Sequence, residues 1–315
     1  MDRTHDSNGA AWTWESALTG VVPPLISPLL ANGDADAAGC EALVRYVLGG
    51  GCTGLFVAGG CGEGSWLTNA QRTGVVNGIK RAAKGVAPVL VGVMLPATGP
   101  AIEAAQRAAD DGADALVAGS PYYFHVDGRA QRRHLEAILD AVPLPLLLYN
   151  IPPCTHHSLD LDAVRALAAN PRVIGIKDSS GDFGYFQRLV AIKRDHPAFR
   201  VLQGSELLAS SSLLIGGDGL VPGIGNVAPR LLTDVCRAAA RGDAEACRDL
   251  QSKVLDLIGV FEIGGIPGLK AACSVLGIGN GLPASPWEPV VGERRDAIAA
   301  VLRRHGLLQA AGARA

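Results

Sequence analysis

Short, wholly apolar runs alternate along this sequence with segments of helical periodicity, and this alternation narrows the possible folds more than any other feature. Runs such as LFVA, PLLLY and VIGI are apolar at every position, which favours strands of a parallel sheet covered on both faces. The predicted strands are 21–26, 55–58, 89–93, 115–118, 146–149, 173–176, 201–203 and 220–221. Amphipathic spacing of apolar residues predicts helices at 36–48, 68–84, 99–111, 129–141, 160–169, 182–195 and 206–215.

The spacing of the predicted strands indicates a closed barrel. Strand starts lie about 18 to 35 residues apart, which is the length of one strand–loop–helix unit, and eight such units close a (β/α)8 barrel. We therefore predict an α/β fold, a (β/α)8 TIM barrel over 17–226 with a C-terminal helical extension over 227–307. Flexible segments are expected at 1–16 and 308–315.

An open doubly wound sheet is the main alternative, because it also alternates strands and helices. Such a sheet normally has a G-x-G-x-x-G turn after its first strand, and SPLLANGD stands there in this chain. The later GGCGEG is a weak match, since no acidic residue follows a third strand in the expected place. A dinucleotide-dependent oxidoreductase is therefore disfavoured.

Charge and composition exclude several classes of partner. The net charge of −2 over 315 residues argues against an electrostatic grip on nucleic acid. No apolar run approaches the ~18–20 residues of a membrane span, and the opening residues have no apolar secretion signal. We expect a cytoplasmic protein that acts on a small molecule. Its seven cysteines show no C-x-x-C or metal-ligand spacing, so reduced thiols and no metal site are expected.

One lysine stands where barrel enzymes place their chemistry. Lys177 ends the run VIGIK, at the carboxyl end of the sixth predicted strand. Apolar neighbours disfavour a charged amine, and lowering its pKa from about 10.4 to about 7 corresponds to about 4–5 kcal/mol. A neutral lysine forms an imine with a ketone, and the imine is an electron sink for making or breaking a carbon–carbon bond. The structural alternative is a lysine whose amine reaches solvent.

Four motifs occur in an order that is specific to one family. The chain resembles the dihydrodipicolinate synthase / N-acetylneuraminate lyase family of Schiff-base, class I lyases, from about residue 20 to residue 307. The motifs are GLFVAGGCGEGSWLT (54–68), SPYYF (120–124), LLLYNIP (146–152) and GIKDSSGD (175–182).

The resemblance implies a reaction path and its catalytic residues. Lys177 would form the imine with a 2-oxo acid, usually pyruvate, without a metal or organic cofactor. Tyr149 would donate and accept protons, although a tyrosine here can also simply close a core strand. Tyr123 matches a relay tyrosine that in many relatives comes from a neighbouring subunit. This implies a homo-oligomer, a tetramer or a dimer.

The resemblance also implies a substrate-binding set. Backbone amides of the turn at Gly60, Cys61 and Gly62 would hold the carboxylate of the 2-oxo acid, as other anion-binding turns do. Gly204 and Val221 match positions that line the imine pocket, where they can equally be barrel core. Glu63 is interpreted as a brace for the turn.

Two positions depart from the pattern of the synthases. A hydroxyl pair in the turn is replaced by Gly60 and Cys61, so the proton relay lacks its middle member. Cys154 stands in place of an arginine that seats the carboxylate of aspartate semialdehyde. Cys154 and His156 are candidate contacts to the second substrate, and the two thiols are interpreted mainly as space-filling groups.

We predict an enzyme, a lyase that works as a pyruvate-dependent aldolase on a 2-oxo acid. Two alternatives use the same imine. They are a 4-hydroxy-tetrahydrodipicolinate synthase proper and a dehydratase of keto-deoxy sugar acids. The AGG-x-GE turn of this chain resembles the branch of the family that contains these dehydratases. A 2-oxo-acid-binding barrel without turnover is the non-enzymatic alternative.

Overall fold

Parallel strands, each separated from the next by at least one helix, form one curled sheet in the computed structural model, which describes residues 12–308. The strands pair in chain order, from β1 with β2 to β6 with β7. Seven predicted strands are present and all are buried apart from the first residue of β6. The strands are β1 (Leu55–Val57), β2 (Val89–Gly92), β3 (Ala115–Gly119), β4 (Leu146–Asn150), β5 (Val173–Asp178), β6 (Arg200–Gln203) and β7 (Gly219–Leu220).

The predicted first strand is present only as an irregular extended segment that closes the barrel. Its Val22 amide donates to the Leu220 carbonyl of β7 (2.8 Å), and its Leu25 amide donates to the Phe56 carbonyl of β1 (2.7 Å). Prolines occupy positions 23 and 24. Because proline has no N–H to donate, this segment forms isolated bridges rather than a regular ladder.

Every helix predicted for the barrel is present, and side-chain caps fix where several begin. The caps are Asp36, Thr68, Asp127, Asp160 and Asp182, each of which accepts a hydrogen bond from an amide of the first turn. The helices are α1 (Trp14–Leu18), α2 (Ala37–Gly49), α3 (Asn69–Ala83), α4 (Thr98–Asp110), α5 (Gly128–Ala141), α6 (Pro152–Thr155), α7 (Leu161–Ala168), α8 (Phe183–Ile192), α9 (Ala209–Leu214), α10 (Pro229–Ala240), α11 (Ala244–Val275) and α12 (Gly292–Arg304).

The last helices complete the barrel and cover its mouth. Helix α10 packs on both α9 and α2, while α11 packs on α12 and on the 3₁₀ turns that follow β6 and β7. Gly265 interrupts α11 with φ 60° and ψ −141°. The division of the chain at residue 226 stays a prediction. The flexibility of the two chain ends also stays a prediction, because 1–11 and 309–315 lie outside the described residues. Helix α1 begins at Trp14, inside the segment 1–16 that was predicted to be flexible.

Two apolar cores surround the strands. One lies between the sheet and the helices, and the other fills the inside of the barrel with side chains such as Phe56, Leu90, Val117 and Leu202. The inner core stops at the carboxyl ends of the strands, so this end of the barrel is left for the site. No helix within residues 12–308 is long and apolar enough to cross a membrane.

Candidate active site

A cavity of about 860 Å³ opens at the carboxyl ends of the strands. Its floor comes from the strand ends and its outer wall from α11 and the loop between α11 and α12. Of the predicted site residues, it brings together Gly60, Cys61, Tyr149, Cys154, Lys177, Gly204 and Val221.

Lys177 is buried at the base of this cavity and does not reach bulk solvent. Only 3% of the residue is exposed. Its Nζ lies 4.3 Å from the centroid of the Tyr149 ring and 5.2 Å from that of Phe56. Within the described residues no carboxylate forms an ion pair with it. Burial lowers the pKa of Lys177 to about 8, so a substantial neutral fraction is available near neutral pH.

Two thiols and one carboxylate face the amine across the cavity. Burial raises the pKa of Cys61 to about 12 and also raises the pKa of Cys154. Both thiols are therefore neutral at pH 7, and their interpretation as space-filling groups stays a prediction. Glu206 is the remaining group whose charge supports the Lys177 ammonium. Its carboxylate accepts from the Ile224 amide at 3.3 Å, although burial raises its pKa.

Tyr149 lies directly beside Lys177 because β4 and β5 pair in that register. Neighbouring residues in a parallel ladder point to the same side of the sheet, so both side chains enter the barrel end. Burial raises the pKa of Tyr149 well above its ordinary value, and a hydrogen bond with Ser179 partly opposes this. The phenol is therefore protonated and can donate a proton toward a group bound on Lys177.

The glycine-rich turn after β1 leaves amides free for an anion. The Glu63 and Gly64 amides donate back to the carbonyls of Gly60 and Gly59 (3.0 Å each). No backbone carbonyl of the described residues accepts from the amides of Cys61 and Gly62. Gly62 itself is buried and does not line the cavity. This turn can hold a carboxylate without a basic side chain.

Glu63 ties this turn to the C-terminal helices. Its carboxylate pairs with Lys270 of α11 at 2.5 Å and accepts from the Ala284 amide at 2.6 Å. Both side chains of the ion pair are almost wholly buried. The geometry therefore supports the interpretation of Glu63 as a brace.

Two glycines define the space around the amine. A Cβ on Gly204 would lie 2.6 Å from Lys177 Cε and 2.0 Å from Ser179 Oγ, so this position has room only for hydrogen. A Cβ on Gly60 would have no atom within 4 Å. The space for the missing relay hydroxyl is therefore present, although the residue is not.

Three predicted site residues lie off the cavity wall. Besides Gly62, these are Tyr123, which is 81% exposed with φ 82°, and His156, which is exposed with φ 63°. The wall instead carries Tyr122, the direct neighbour of Tyr123. The relay role of Tyr123 and the substrate contact of His156 stay predictions.

Sequence reasoning gave no role to many residues of the wall, among them Trp66, Tyr122, Glu206 and Trp287. Glu206 ends the string QGSE (203–206), which also supports the family resemblance, and Tyr122 belongs to SPYYF. Both residues therefore had a signal in the sequence. Trp287 follows α11 in a loop that no motif marks. Trp66 lies in the glycine-rich motif but was given no role.

Comparison with known proteins identifies the family of this chain. The profile of the dihydrodipicolinate synthetase family matches residues 17–305. The chain belongs to this family. It is therefore a Schiff-base lyase with the (β/α)8 fold of its relatives, which confirms the predicted family, fold, enzyme class and general function.

Members of the dihydrodipicolinate synthetase family that are similar to this chain have several activities in their names. The probable 2-dehydro-3-deoxy-D-pentonate aldolase YjhH of Escherichia coli (strain K12) is 32% identical over 78% of this chain and 82% of its own. Dihydrodipicolinate synthase from Bacteroides thetaiotaomicron superposes with a TM-score of 0.87 at 35% identity, covering 91% of this chain and 98% of that one. YagE of E. coli K12, solved in complex with pyruvate, gives 0.86 at 29% identity over the same shares.

Proposed function

We propose that this enzyme is a pyruvate-dependent aldolase, which joins a 2-oxo acid to an aldehyde, or reverses that step, through an imine on Lys177. The observation that carries the proposal is the buried Lys177 amine beside the protonated phenol of Tyr149 in one cavity. The pyruvate complex of YagE supports pyruvate as the 2-oxo acid.

The chemistry follows from these groups. Lys177 Nζ attacks the C2 carbonyl of pyruvate, Tyr149 supplies the proton with which the carbonyl oxygen leaves as water, and a protonated imine remains. Loss of a proton from C3 gives the enamine. C3 then bonds to the aldehyde carbon, the aldehyde oxygen takes up a proton, and water hydrolyses the imine. The imine is the electron sink, so the proposal includes no cofactor.

The charges of the wall favour a neutral aldehyde. Lys177 is the only basic residue among the described residues that line the cavity, and it is reserved for the imine. The carboxylates of Glu206 and Glu262 also line it, besides that of Glu63, which is already paired with Lys270. Cys154 stands where the synthases carry an arginine. A second carboxylate, as in aspartate semialdehyde, would therefore meet the carboxylates of Glu206 and Glu262 with no free cation beside it. The name of the relative YjhH, an aldolase, supports the same reading.

Reductive trapping tests the proposal. Pyruvate with borohydride should add a stable mass to Lys177, located by peptide mass spectrometry, and the Lys177→Met variant should show none. Lys253→Met, which removes an exposed lysine of α11, should trap as the parent does. An unmodified Lys177 would refute the mechanism. Trapping without turnover of any aldehyde would instead favour the barrel that only binds 2-oxo acids.

We propose further that the enzyme works in the cytoplasm as a homo-oligomer. Two adjacent aromatic side chains support a partner surface, because Tyr123 and Phe124 are 81% and 76% exposed and in edge contact with each other. Large aromatic residues at such exposure are characteristic of protein contacts. In this proposal Tyr123 completes the site of a neighbouring subunit.

A further inference from the structure

Two tryptophans stand side by side at the mouth of the cavity. The rings of Trp66 and Trp287 are 4.2 Å apart between centroids and inclined by 44°. They are 43% and 38% exposed, and both line the cavity that holds Lys177. The proposed chemistry uses neither ring.

Hydrogen bonds through Glu63 and Ala284 connect the two tryptophans. The Ala284 amide donates to Glu63 Oε1 (2.6 Å), and Glu63 is itself fixed by Lys270. Trp66 donates its amide to the Glu63 carbonyl (2.8 Å), and Trp287 donates its amide to the Ala284 carbonyl (3.1 Å). Each indole thus follows an anchored residue by three positions. The pair is organised before any ligand arrives, which lowers the entropic cost of binding.

Apolar side chains make up much of the rest of the outer wall, beside the exposed Glu262 of α11. Ile258, Phe261 and Ile266 face the cavity from α11, and Leu207 and Met94 face it from the strand ends. The hydroxyl groups of a sugar chain placed against these five side chains would lose water and gain no hydrogen-bond partner from them. A planar apolar ring would lose nothing and would stack on indole.

The size of the cavity leaves room for a second substrate larger than pyruvate. Its volume of about 860 Å³ lies near the upper end of the roughly 300–1,000 Å³ that ligand pockets span. Pyruvate contributes three carbons beside Lys177. The outer part, next to the tryptophans, is left for the second substrate.

We infer that the aldehyde used by this aldolase carries an aromatic ring, which binds in the outer cavity against Trp66 and Trp287. The inference rests on the proposed function and names its second substrate. The enamine carbon of pyruvate bonds to the aldehyde carbon, and the aldehyde oxygen takes a proton. One water then frees Lys177, giving a 4-aryl-4-hydroxy-2-oxobutanoate. The reverse reaction returns pyruvate and the aromatic aldehyde, and neither direction needs an oxidant or a reductant.

The test compares two neutral aldehydes with pyruvate. Consumption of benzaldehyde should have a kcat/KM roughly tenfold or more above that of glycolaldehyde, since aromatic stacking and apolar burial act only on the ring. Trp66→Ala and Trp287→Ala should each lower kcat/KM for benzaldehyde about tenfold, mainly by raising KM. The same variants should leave kcat/KM for glycolaldehyde within about twofold of the parent. Trp66→Phe should retain most of the preference.

Trp14→Phe is the matched control. Trp14 lies in α1, whose Glu15 pairs with Arg200 at the start of β6, so it is at the opposite end of the barrel. This variant should leave kcat/KM unchanged for both aldehydes. Aspartate semialdehyde serves as the charged comparison and should react more slowly than benzaldehyde.

The outcomes separate this inference from the proposed function. Pyruvate trapping on Lys177 in every variant shows that the fold and the imine are intact. If trapping succeeds and glycolaldehyde reacts as well as or better than benzaldehyde, or if the tryptophan variants slow both aldehydes equally, the inference is overturned while the aldolase stands. If pyruvate is never trapped, the proposed function fails as well.

Discussion

At the scale of single residues, the chemistry depends on an amine kept away from water. Burial lowers the pKa of Lys177 from 10.5 to about 8, so the folded protein holds this proton less tightly than the unfolded chain does. Below pH 8 the buried ammonium lowers the free energy of unfolding by about 3 kcal/mol, and the cost disappears as the pH rises toward 10.5.

Lys177→Met should therefore stabilise the fold while it abolishes imine formation. We expect the free energy of unfolding at pH 7 to rise by about 3 kcal/mol, because a charged buried group is replaced by an apolar one. Urea unfolding measures this, with Lys253→Met as the exposed control. The gain should shrink above pH 10. A loss of stability at pH 7 would contradict the burial of a charge at this position.

The same pKa predicts how imine formation depends on pH. Only the neutral amine attacks a ketone, and its fraction rises about tenfold per pH unit below the pKa. The initial rate of trapping with pyruvate should rise about tenfold from pH 6 to pH 7 and level off above about pH 8. A rate that keeps rising to pH 10 would mean that Lys177 titrates as an ordinary exposed lysine.

Gly60 offers a test of the missing relay hydroxyl. Gly60→Thr adds a hydroxyl where no atom lies within 4 Å of the new Cβ, so the turn should tolerate it. We expect kcat to rise about tenfold, which is below the 10²–10⁴ range of a full acid–base catalyst. The contrasting variant is Gly204→Ala, which should lower kcat because its Cβ would overlap Lys177 Cε. An unchanged kcat in Gly60→Thr would show that water already serves as the relay.

The sequence located the residues of the site that belong to strands and missed those that depend on loops. Lys177 and Tyr149 end apolar runs, so the register of a parallel sheet was enough to bring them together. The positive φ of Tyr123 turns its side chain outward and leaves Tyr122 on the wall. Trp287 reaches the cavity across more than 200 residues of chain, through a contact that depends on one buried carboxylate.

At the scale of elements, one ion pair joins the turn after β1 to helix α11. Lys270→Met leaves the Glu63 carboxylate buried without its cation, which should lower the free energy of unfolding by about 3–5 kcal/mol. Adding Glu63→Gln to Lys270→Met should recover much of this loss. Equilibrium unfolding in urea measures both.

The control for this buried pair is a solvent-exposed ion pair on the protein surface. Arg165 and Asp162 are 54% and 88% exposed in their side chains, and Arg165→Met should change the free energy of unfolding by less than about 1 kcal/mol. Equal effects of the two substitutions would show that the buried pair contributes no more than a surface one.

Elements with regular periodicity were predictable, and those broken by proline or glycine were not. Seven strands match their predictions because apolar runs in a parallel sheet need no alternation. The remaining run, the predicted first strand at 21–26, was wrong as a regular strand, since its prolines have no N–H for the ladder. Near the C-terminal end, Gly265 breaks α11, and Pro267 is accepted just after the break, where a helix start leaves amides unpaired anyway.

At the scale of the whole molecule, the proposed relay through Tyr123 makes subunit exchange a decisive experiment. Tyr123→Phe and Lys177→Met should each have little activity alone. In mixed dimers, one site of two combines an intact Lys177 with an intact Tyr123 from the neighbour. After unfolding and refolding together in equal amounts, about a quarter of the parent activity should return. An activity of the refolded mixture equal to the average of the two separate variants would contradict the relay between subunits.

Closure of the barrel also has a consequence for how the chain is made. The Asn226 side chain accepts from the Ile26 amide at 3.0 Å and donates to the Pro24 carbonyl at 2.9 Å, across 200 and 202 positions of sequence. At about 5–20 residues per second, a ribosome takes about 10–40 s to add that length. For this interval one edge of the amino-terminal segment has no partner, and open edges attract other chains. Crowded polysomes would thus be the place where this enzyme is most exposed to aggregation, and holding chaperones would protect it there until Asn226 has emerged.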